Sequence, residues 1–237
     1  PTIEALKKSG ADLGIAWDGD ADRIGVVDEK ANPIFGDMLV LIYGRQLLQD
    51  KANPIVIGDV KCSDLLFSDL NQRGAQAVIA KTGHSLIKAK MKELDADLAG
   101  EMSGHIFFKH RYWGFDDALH ASARLVEIVS NQTLPVSQLL ADLPPVINTP
   151  EIRLDCPESI KFEVAKQAQA AFPEYETLTI DGVRVKFSNG WGLVRASNTQ
   201  PVLVMRFEAT SQKELEEYEM LVRTRIGSII QELQAKN

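Results

Sequence analysis

Residues 54–84 read PIVIGDVKCSDLLFSDLNQRGAQAVIAKTGH, and their pattern predicts the architecture of the central part of the chain. Ile55–Val60 form a short apolar run, which is typical of a strand buried on both faces. Ser63 can cap a helix that ends near Gly74, and Ala77–Ala80 form a second apolar run. A strand, a helix and a strand of these lengths predict a parallel pair joined by a right-handed crossover.

The same alternation continues on both sides of this stretch. Asp37 is predicted to cap a preceding helix, and Ser85–Leu94 are predicted to form a following one. Asp97–Gly100 begin a third predicted strand, which resumes at Ile106–Phe108. Asp116–Val129 are predicted to form a longer helix. The apolar residues that share one side of this helix are Leu119, Ala123, Val126 and Val129. Residues 30–147 therefore read as an α/β domain with a mixed, mostly parallel sheet and flanking helices.

The pattern changes after the prolines at 144, 145 and 150. Asp181-Gly182 lies between two apolar runs and predicts a two-residue hairpin. Ser211 and Glu214 form a capping box at the start of a last helix. The apolar stripe predicted for that helix is Leu215, Tyr218, Val222, Ile226, Ile229 and Leu233. We interpret residues 148–237 as an α+β domain with an antiparallel sheet.

Residues 1–29 are too few to bury a core of their own. Thr2–Ser9 fit a short helix that stops at Gly10, and two strand-length apolar runs follow, Leu13–Trp17 and Ile24–Val27. We interpret this segment as the tail of a preceding, truncated domain. We also expect its strand pair to find another sheet edge, including one in a second chain.

Bulk composition excludes some classes of function. The net charge is −7, which argues against nucleic acid as the main partner. No apolar run approaches the roughly 20 residues of a membrane span, so no membrane partner is expected. Cys62 and Cys156 are far apart and have no metal-ligand spacing, which favours buried free thiols in a reducing compartment. A cytoplasmic location is the resulting expectation.

The first chemical motif is the run Asp18, Asp20 and Asp22, which lies between two predicted strands. Three carboxylates this close repel one another unless a cation lies among them, and oxygen ligands suit Mg²⁺ or Ca²⁺. An EF-hand is excluded because Arg23 stands where that loop needs glycine and the flanks are strands. A plain acidic turn is the alternative. If the loop serves phosphoryl transfer, Arg23 is placed to contact the same phosphate.

Two further loops carry groups suited to a phosphorylated sugar. In Gly100–His105, Glu101 can accept hydrogen bonds from two hydroxyls, and Ser103 can donate or accept one. A strand-edge bulge is the alternative for that hexapeptide. Residues 195–201 read RASNTQP. The fork of Arg195 fits phosphate, and short donors follow at Ser197, Asn198 and Thr199. The alternative is an ordinary turn stabilised by these polar side chains.

Lys61 and His84 each follow a predicted parallel strand. The carboxyl ends of such strands are where α/β sheets bind ligands. Both side chains can carry a proton or bind phosphate, although a lone lysine or histidine there is more often a solvated loop residue. A basic cluster at residues 109–111 beside His105 favours an anionic substrate on this acidic chain.

The motifs DGDADR, DVKC, KTGH, GEMSGH and RASNTQP occur in this order along nearly the whole chain. In order and spacing they resemble the α-D-phosphohexomutase superfamily. GEMSGH and RASNTQP together are most similar to its bacterial phosphomannomutase/phosphoglucomutase branch, whereas the phosphoglucosamine branch usually differs at Met102. The resemblance implies four domains around one cleft, with residues 1–29 ending domain two, 30–147 forming domain three and 148–237 forming domain four.

The resemblance also implies roles for individual residues. Mg²⁺ would be held by Asp18, Asp20 and Asp22. The hydroxyls of a phosphorylated hexose would be recognised by Glu101 and Ser103. Its phosphate would be bound by Arg195, Ser197, Asn198 and Thr199. Catalytic positions near the transferring phosphoryl group would be Arg23, Lys61, His84 and His105. The implied enzyme is an isomerase, an intramolecular phosphotransferase acting through a bisphosphorylated sugar.

One element of that family has no counterpart here. The family transfers its phosphoryl group from a phosphoserine in domain one, and no serine of this chain has the expected Thr/Ser-Ala-Ser-His context. We therefore expect the N-terminal half of the same enzyme as a partner, and little or no turnover by this chain alone. The alternatives are a non-catalytic phosphosugar-binding module, a phosphoglucosamine mutase fragment, or a half that assembles with a separately made partner.

Overall fold

The computed structural model describes residues 1–235. The chain divides into two compact units, Pro1–Leu143 and a second unit that begins at Pro144. The expected division into three parts, at 1–29, 30–147 and 148–237, stays a prediction. The overall α/β architecture is the one that the sequence predicts, with one mixed, mostly parallel sheet and two antiparallel sheets.

The first unit opens with a small antiparallel sheet. Helix α1 (Thr2–Ser9) ends at Gly10, whose φ of 66° is left-handed, as predicted. Strands β1 (Leu13–Trp17) and β2 (Ile24–Asp28) pair along their whole length. A third strand, β3 (Pro33–Ile34), adds to the other edge of β2. The sequence analysis did not predict β3, because a two-residue strand beginning with proline has no periodicity to detect.

The rest of the first unit is a layered α/β structure. Its elements are α2 (Gly36–Asp50), β4 (Ile55–Asp59), α3 (Asp64–Gln72), β5 (Gln76–Ala80), α4 (His84–Leu94), β6 (Leu98–Gly100), β7 (Ile106–Phe108), α5 (Ala118–Ser130) and a 3-10 helix (Val136–Gln138). The strand order is β5-β4-β6-β7, in which β4 pairs in parallel with both β5 and β6. The predicted crossover between β4 and β5 through α3 is therefore present, and Ser63 caps α3 by accepting a hydrogen bond from the Leu65 amide.

The third predicted strand was wrong in one respect. It does not resume after the Gly100–His105 segment. Instead the chain reverses there, and β7 runs antiparallel to β6 with Gly100 opposite Ile106. The hexapeptide is thus a reversing turn at the end of β6. Its tight turn is closed by the Gly104 amide, which donates to the Glu101 carbonyl at 3.0 Å.

Two predictions about helices were also wrong. Asp37 does not cap α2: it lies inside the first turn, nearly fully buried, and its carboxylate accepts a hydrogen bond from the Ser63 amide at 3.0 Å. The predicted apolar stripe of α5 is not its buried face, since Leu119 is 54 % and Val126 49 % exposed. The face that packs inward is a neighbouring stripe at the same helical spacing, offset by about one residue from the predicted one. It consists of Ala118, Ala121, Ser122, Arg124, Leu125 and Ile128.

The second unit is an antiparallel sheet with two helices. Its elements are β8 (Ile147–Asn148), β9 (Ile152–Asp155), α6 (Lys161–Ala168), β10 (Glu176–Leu178), β11 (Val183–Phe187), β12 (Gly190–Ala196), β13 (Val202–Ala209) and α7 (Gln212–Ala235). The strand order is β10-β11-β12-β13-β8, and β9 also pairs with β13. Both helices pack on the sheet face that carries Val183, Val194 and Phe207.

Local predictions for the second unit mostly hold. The capping box of α7 is present, because the Glu214 amide donates to Ser211 Oγ at 3.3 Å and Ser211 Oγ donates to the Glu214 carboxylate at 2.7 Å. The hairpin at Asp181-Gly182 is longer than predicted, since the last strand pair is Leu178 with Arg184. Across residues 1–235, no helix is long and apolar enough to span a membrane.

Candidate functional site

The acidic loop between β1 and β2 brings together the three aspartates that the sequence singles out. Asp18, Asp20 and Asp22 each present a carboxylate oxygen, and these oxygens lie within 4.8 Å of one another. The turn depends on Ala21, whose φ of 57° is left-handed although it is not glycine. This conformation reverses the chain within a few residues, so the carboxylates converge.

Arg23 lies beside these carboxylates. Its Nε is 2.5 Å from Asp18 Oδ2 and 3.5 Å from Asp22 Oδ1. Partial burial acts to raise the pKa of Asp18, but hydrogen bonds from the Arg23 amide and side chain outweigh it and lower that pKa. The side chain of Arg23 is 52 % exposed, so its remaining donors face solvent or a ligand.

The donor set of the acidic loop fits a hard divalent cation. All three ligands are carboxylates, which Mg²⁺ and Ca²⁺ prefer. Asp22 Oδ1 is buried and accepts no hydrogen bond within the described part of the chain. Arg23 Nε, at 3.5 Å, makes only a long ion-pair contact with this oxygen, and a bound cation would satisfy it.

The acidic loop docks on the turn at residues 100–105. The Ile24 amide donates to the Gly104 carbonyl at 3.1 Å, and Arg23 forms a β-bridge with His105. Gly104 has a φ of 98°, and a Cβ there would lie 2.5 Å from the Ile24 carbonyl oxygen. Only glycine permits this approach, so the backbone itself sets the position of the two loops.

His105 lies between carboxylates from two different elements. Its Nδ1 is 3.7 Å from Asp22 Oδ2 and 3.2 Å from Asp116 Oδ2. His84 stacks on His105 with ring centroids 5.8 Å apart, and its Nδ1 is 3.6 Å from Asp116 Oδ2. Lys88 also donates to Asp116, and this contact lowers the Asp116 pKa although burial acts to raise it. Asp116 thus faces both imidazoles.

Glu101 is almost fully buried at the base of the same turn. Its Oε1 accepts a hydrogen bond from the Gly83 amide at 2.7 Å, which joins the turn to the KTGH loop. Burial raises the pKa of Glu101, and the nearby charge of Asp59 raises it further. Ser103 is exposed on the outer side of the turn. Glu101 is therefore held in place by a hydrogen bond, whereas Ser103 is open to solvent.

Asp59 is a fully buried carboxylate that connects three loops. Its Oδ1 accepts hydrogen bonds from the Lys61 amide at 3.2 Å and the Met102 amide at 3.4 Å. Its Oδ2 accepts from Thr82 Oγ1 at 3.1 Å, and Lys61 Nζ approaches that oxygen to 3.9 Å. Lys61, Glu101 and the KTGH loop are therefore held at one edge of the sheet, as the parallel arrangement predicts.

The loop at residues 195–201 forms a separate group in the second unit. Arg195 is nearly fully buried, and its Nε donates to Asp181 Oδ2 at 2.8 Å. Ser197 Oγ accepts hydrogen bonds from the amides of Thr199 and Gln200 at 3.3 and 3.2 Å. Asn198 and Thr199 are exposed at the tip. Because the Ser197 oxygen already accepts hydrogen bonds from two amides, its O–H group can donate to a ligand.

The structure thus brings together the candidate residues of the first unit around one edge of its mixed sheet. They are Asp18, Asp20, Asp22, Arg23, Lys61, His84, Glu101, Ser103 and His105. The remaining four, Arg195, Ser197, Asn198 and Thr199, share one loop of the second unit.

Sequence reasoning missed several residues that support these groups. Asp59, Asp116 and Asp181 were seen only as parts of motifs or turns, and Lys161, which contacts the 195–201 loop, was not singled out. The one available signal was the adjacent pair Asp116-Asp117 before α5, which is more acidic than helix capping alone requires.

Comparison with known proteins finds three family models along the chain. They are Phosphoglucomutase/phosphomannomutase alpha/beta/alpha domain II over residues 1–32, alpha/beta/alpha domain III over residues 35–147, and the C-terminal domain over residues 151–225. Together they match most of the chain in the order that its motifs predict.

Individual relatives agree with these matches. A phosphomannomutase/phosphoglucomutase from Pseudomonas putida is 47 % identical over 234 residues, which are 98 % of this chain and 50 % of the relative. A phosphoglucomutase from Neisseria gonorrhoeae is 46 % identical over 218 residues, covering 90 % of this chain and 47 % of the relative. The chain therefore spans about half the length of the curated relatives it matches.

A solved structure shares this fold. The crystal structure of a phosphoglucomutase/phosphomannomutase family protein from Burkholderia thailandensis superposes with a TM-score of 0.88 at 40 % identity. The match covers 96 % of this chain and 49 % of that one.

Proposed function

The chain belongs to the phosphoglucomutase/phosphomannomutase family, within the α-D-phosphohexomutase superfamily, and on that premise we propose that it carries the metal-binding, sugar-binding and phosphate-binding parts of a phosphohexomutase. The proposed reaction interconverts a hexose 1-phosphate and a hexose 6-phosphate through a bisphosphorylated sugar. Relatives named phosphomannomutase/phosphoglucomutase and phosphoglucomutase support this class of enzyme.

One observation carries the proposal more than any other. The acidic loop and the Gly100–His105 turn are joined through Ile24 and Gly104 at a distance that only glycine allows. The residues that we propose as metal ligands and as sugar-recognising groups therefore lie on two loops joined by backbone contacts. Such an arrangement suits a phosphorylated sugar, which presents a charged group and hydroxyls within one small molecule.

The proposed metal is Mg²⁺, and its ligands would be Asp18, Asp20 and Asp22. When bound, the ion supplies positive charge that polarises a phosphoryl oxygen. Arg23, which is already oriented by Asp18, would donate its exposed guanidinium nitrogens to the same phosphoryl group. The three carboxylates and Arg23 would together stabilise charge that shifts during transfer.

The remaining residues of the first unit have distinct proposed tasks. Glu101, held by the Gly83 amide, would accept hydrogen bonds from sugar hydroxyls, and the exposed Ser103 would complete the contact. His105, whose Nδ1 lies 3.2 Å from Asp116, would take a proton from a sugar hydroxyl that attacks a phosphoryl group. Lys61, and His84, which stacks on His105, would stabilise phosphate charge.

The loop of the second unit would bind the phosphate that is not being transferred. Arg195 supplies a guanidinium held by Asp181. The Ser197 hydroxyl supplies a donor that is not spent within the loop, and Asn198 and Thr199 supply further donors at the tip. Such a set binds phosphate by direction as well as by charge.

The phosphoseryl donor that the family resemblance implies has no counterpart among the serines of this chain. We therefore expect binding without appreciable turnover from this chain alone. Catalysis would require the half of the relatives' length that this chain does not span. A purely sugar-phosphate-binding function is the second candidate, and the exposed donors of the 195–201 loop favour it equally.

Calorimetric titration of glucose 6-phosphate, with Mg²⁺ present and glucose as the control, tests the proposal. Saturable binding of the phosphorylated sugar, with none of glucose, is the expected result. Absence of binding even at millimolar ligand would refute the claim that these residues form a working half-site. Subsequent addition of a phosphoserine-bearing domain from a relative separates the two candidates, because only the mutase acquires turnover.

A further inference from the structure

Lys161 is a buried lysine whose ammonium group contacts the 195–201 loop. It is the first residue of α6, and its side chain is 1 % exposed. Its Nζ donates to the Gln200 carbonyl oxygen at 3.0 Å and lies 2.7 Å from Glu158 Oε2. Lysine is almost never buried to this degree without a specific partner, so these contacts need an explanation.

The contact with Gln200 lies where several hydrogen bonds hold the backbone of the loop. The same carbonyl accepts the Val202 amide at 2.8 Å, and the next carbonyl, that of Pro201, accepts the Cys156 amide at 3.0 Å. Two successive carbonyls are thus held by donors from α6, β13 and the end of β9. Holding the Gln200 carbonyl restricts the ψ angle of Gln200, and the amide of that same residue donates to Ser197 Oγ, so the contact limits how this amide can move.

The counter-charge of Lys161 is weak. Its acidic neighbour Glu158 is 66 % exposed and therefore well screened by solvent, whereas the lysine is not. A buried ammonium that is only partly compensated raises the electrostatic potential of the loop above it. An anion bound by Ser197, Asn198 and Thr199 would gain from that potential.

From these contacts we propose that Lys161 is a positioning residue of the phosphate-binding loop. Its ammonium fixes the Gln200 carbonyl and thereby holds residues 197–200 in the shape that accepts a phosphate monoester. Its charge adds to the attraction, and Glu158 weakens that effect. The proposal rests on the proposed function for the identity of the ligand, but its structural part concerns the loop alone.

The first test compares the binding of glucose 6-phosphate by the full chain and its variants at low ionic strength. Lys161→Met keeps most of the length of the side chain but removes the donor and the charge. It is expected to bind about tenfold more weakly, the scale of one lost charge-assisted hydrogen bond. Lys166→Met is the matched control, because Lys166 lies on the same helix and its side chain is 78 % exposed. Unchanged affinity in Lys161→Met would overturn the proposal.

Glu158→Gln separates positioning from a merely structural ion pair. If the pair only stabilised the fold, both variants would weaken binding. Under the proposal, removal of the Glu158 charge leaves the Gln200 contact intact and unmasks the ammonium, so binding becomes a few-fold tighter. Unchanged or weaker binding in Glu158→Gln would overturn the proposal. Should Lys161→Met fail to fold, this variant decides alone.

Hydrogen–deuterium exchange without any ligand tests the structural part independently. Lys161→Met is expected to speed exchange of the Thr199 and Gln200 amides, whereas Lys166→Met leaves them unchanged. If wild-type protein fails to bind glucose 6-phosphate, the proposed function fails while faster exchange still supports the role of Lys161. Unchanged exchange in Lys161→Met would overturn that role whatever the binding result.

Discussion

Asp59 is the residue whose replacement tests how the site of the first unit is held together. It is fully buried, and its carboxylate is the shared acceptor of the Lys61 amide, the Met102 amide and the Thr82 hydroxyl. The Cys62 thiol donates to it as well, at 3.1 Å. Asp59→Ala removes this acceptor without adding bulk. The expected loss in free energy of unfolding therefore arises from buried donors that no longer have an acceptor.

The magnitude follows from those contacts. A buried donor without an acceptor costs about 1–3 kcal/mol. Taking the lower end for two amides and one hydroxyl, and less for the thiol, gives a loss of about 3–4 kcal/mol for Asp59→Ala. Asp59→Asn retains one carbonyl oxygen for the amides, and the Thr82 hydroxyl can turn to accept. It also removes a charge that acts to raise the Glu101 pKa, so we expect only about 1–2 kcal/mol.

Urea unfolding followed by circular dichroism measures these free energies of unfolding. Asp12→Ala is the control, because Asp12 is exposed and forms no hydrogen bond or ion pair with any residue between 1 and 235. An Asp59→Ala variant within about 0.5 kcal/mol of wild type, the usual range of surface substitutions, would refute the organising role of this carboxylate. Equal losses in the alanine and asparagine variants would mean that charge, not acceptor geometry, holds the loops.

Three further predictions concern other parts of the site. Arg195→Ala should weaken glucose 6-phosphate binding by about 1.5–3 kcal/mol in calorimetry, with Lys186→Ala as an exposed control, and an unchanged affinity would remove Arg195 from the site. Gly104→Ala should lower the free energy of unfolding by at least about 2 kcal/mol, because the left-handed φ and the close approach of the Ile24 carbonyl both oppose a Cβ atom. Urea unfolding close to that of wild type would contradict this. Glu101→Gln should gain stability relative to wild type as pH rises. The folded-state pKa of Glu101 is raised above its ordinary 4.5, so protonated Glu101 contributes its full stability to the wild type below that value. This contribution is lost as pH rises through the folded-state pKa, and glutamine does not lose it. A stability difference between these two proteins that is independent of pH would refute that assignment.

Some features were predictable because they depend on neighbours in the chain. The apolar runs at β4 and β5, the Ser63 cap and the capping box of α7 are all set within a few residues. The convergence of three aspartates between two strands follows from the same local pattern. Short elements such as β3 escaped prediction because a two-residue strand carries no periodicity.

The errors have a common physical origin in packing. Asp37 resembles a helix cap, but the fold buries it and uses it as an acceptor for Ser63, which lies 26 residues later. Leu119 and Val126 of α5 resemble part of a core face, but packing buries the adjacent stripe that carries Leu125 and Ile128. Local propensity cannot decide which face of an element meets its neighbours.

The sequence by itself determined the order of the elements, the family and the set of chemical groups, because these depend on residue type and on short-range spacing. Only the tertiary structure decided which buried groups support them. Asp59 meets Met102 across 43 residues, and Lys161 meets Gln200 across 39. Such contacts arise when sheet order and helix packing bring distant loops together, and residue type alone does not encode those distances.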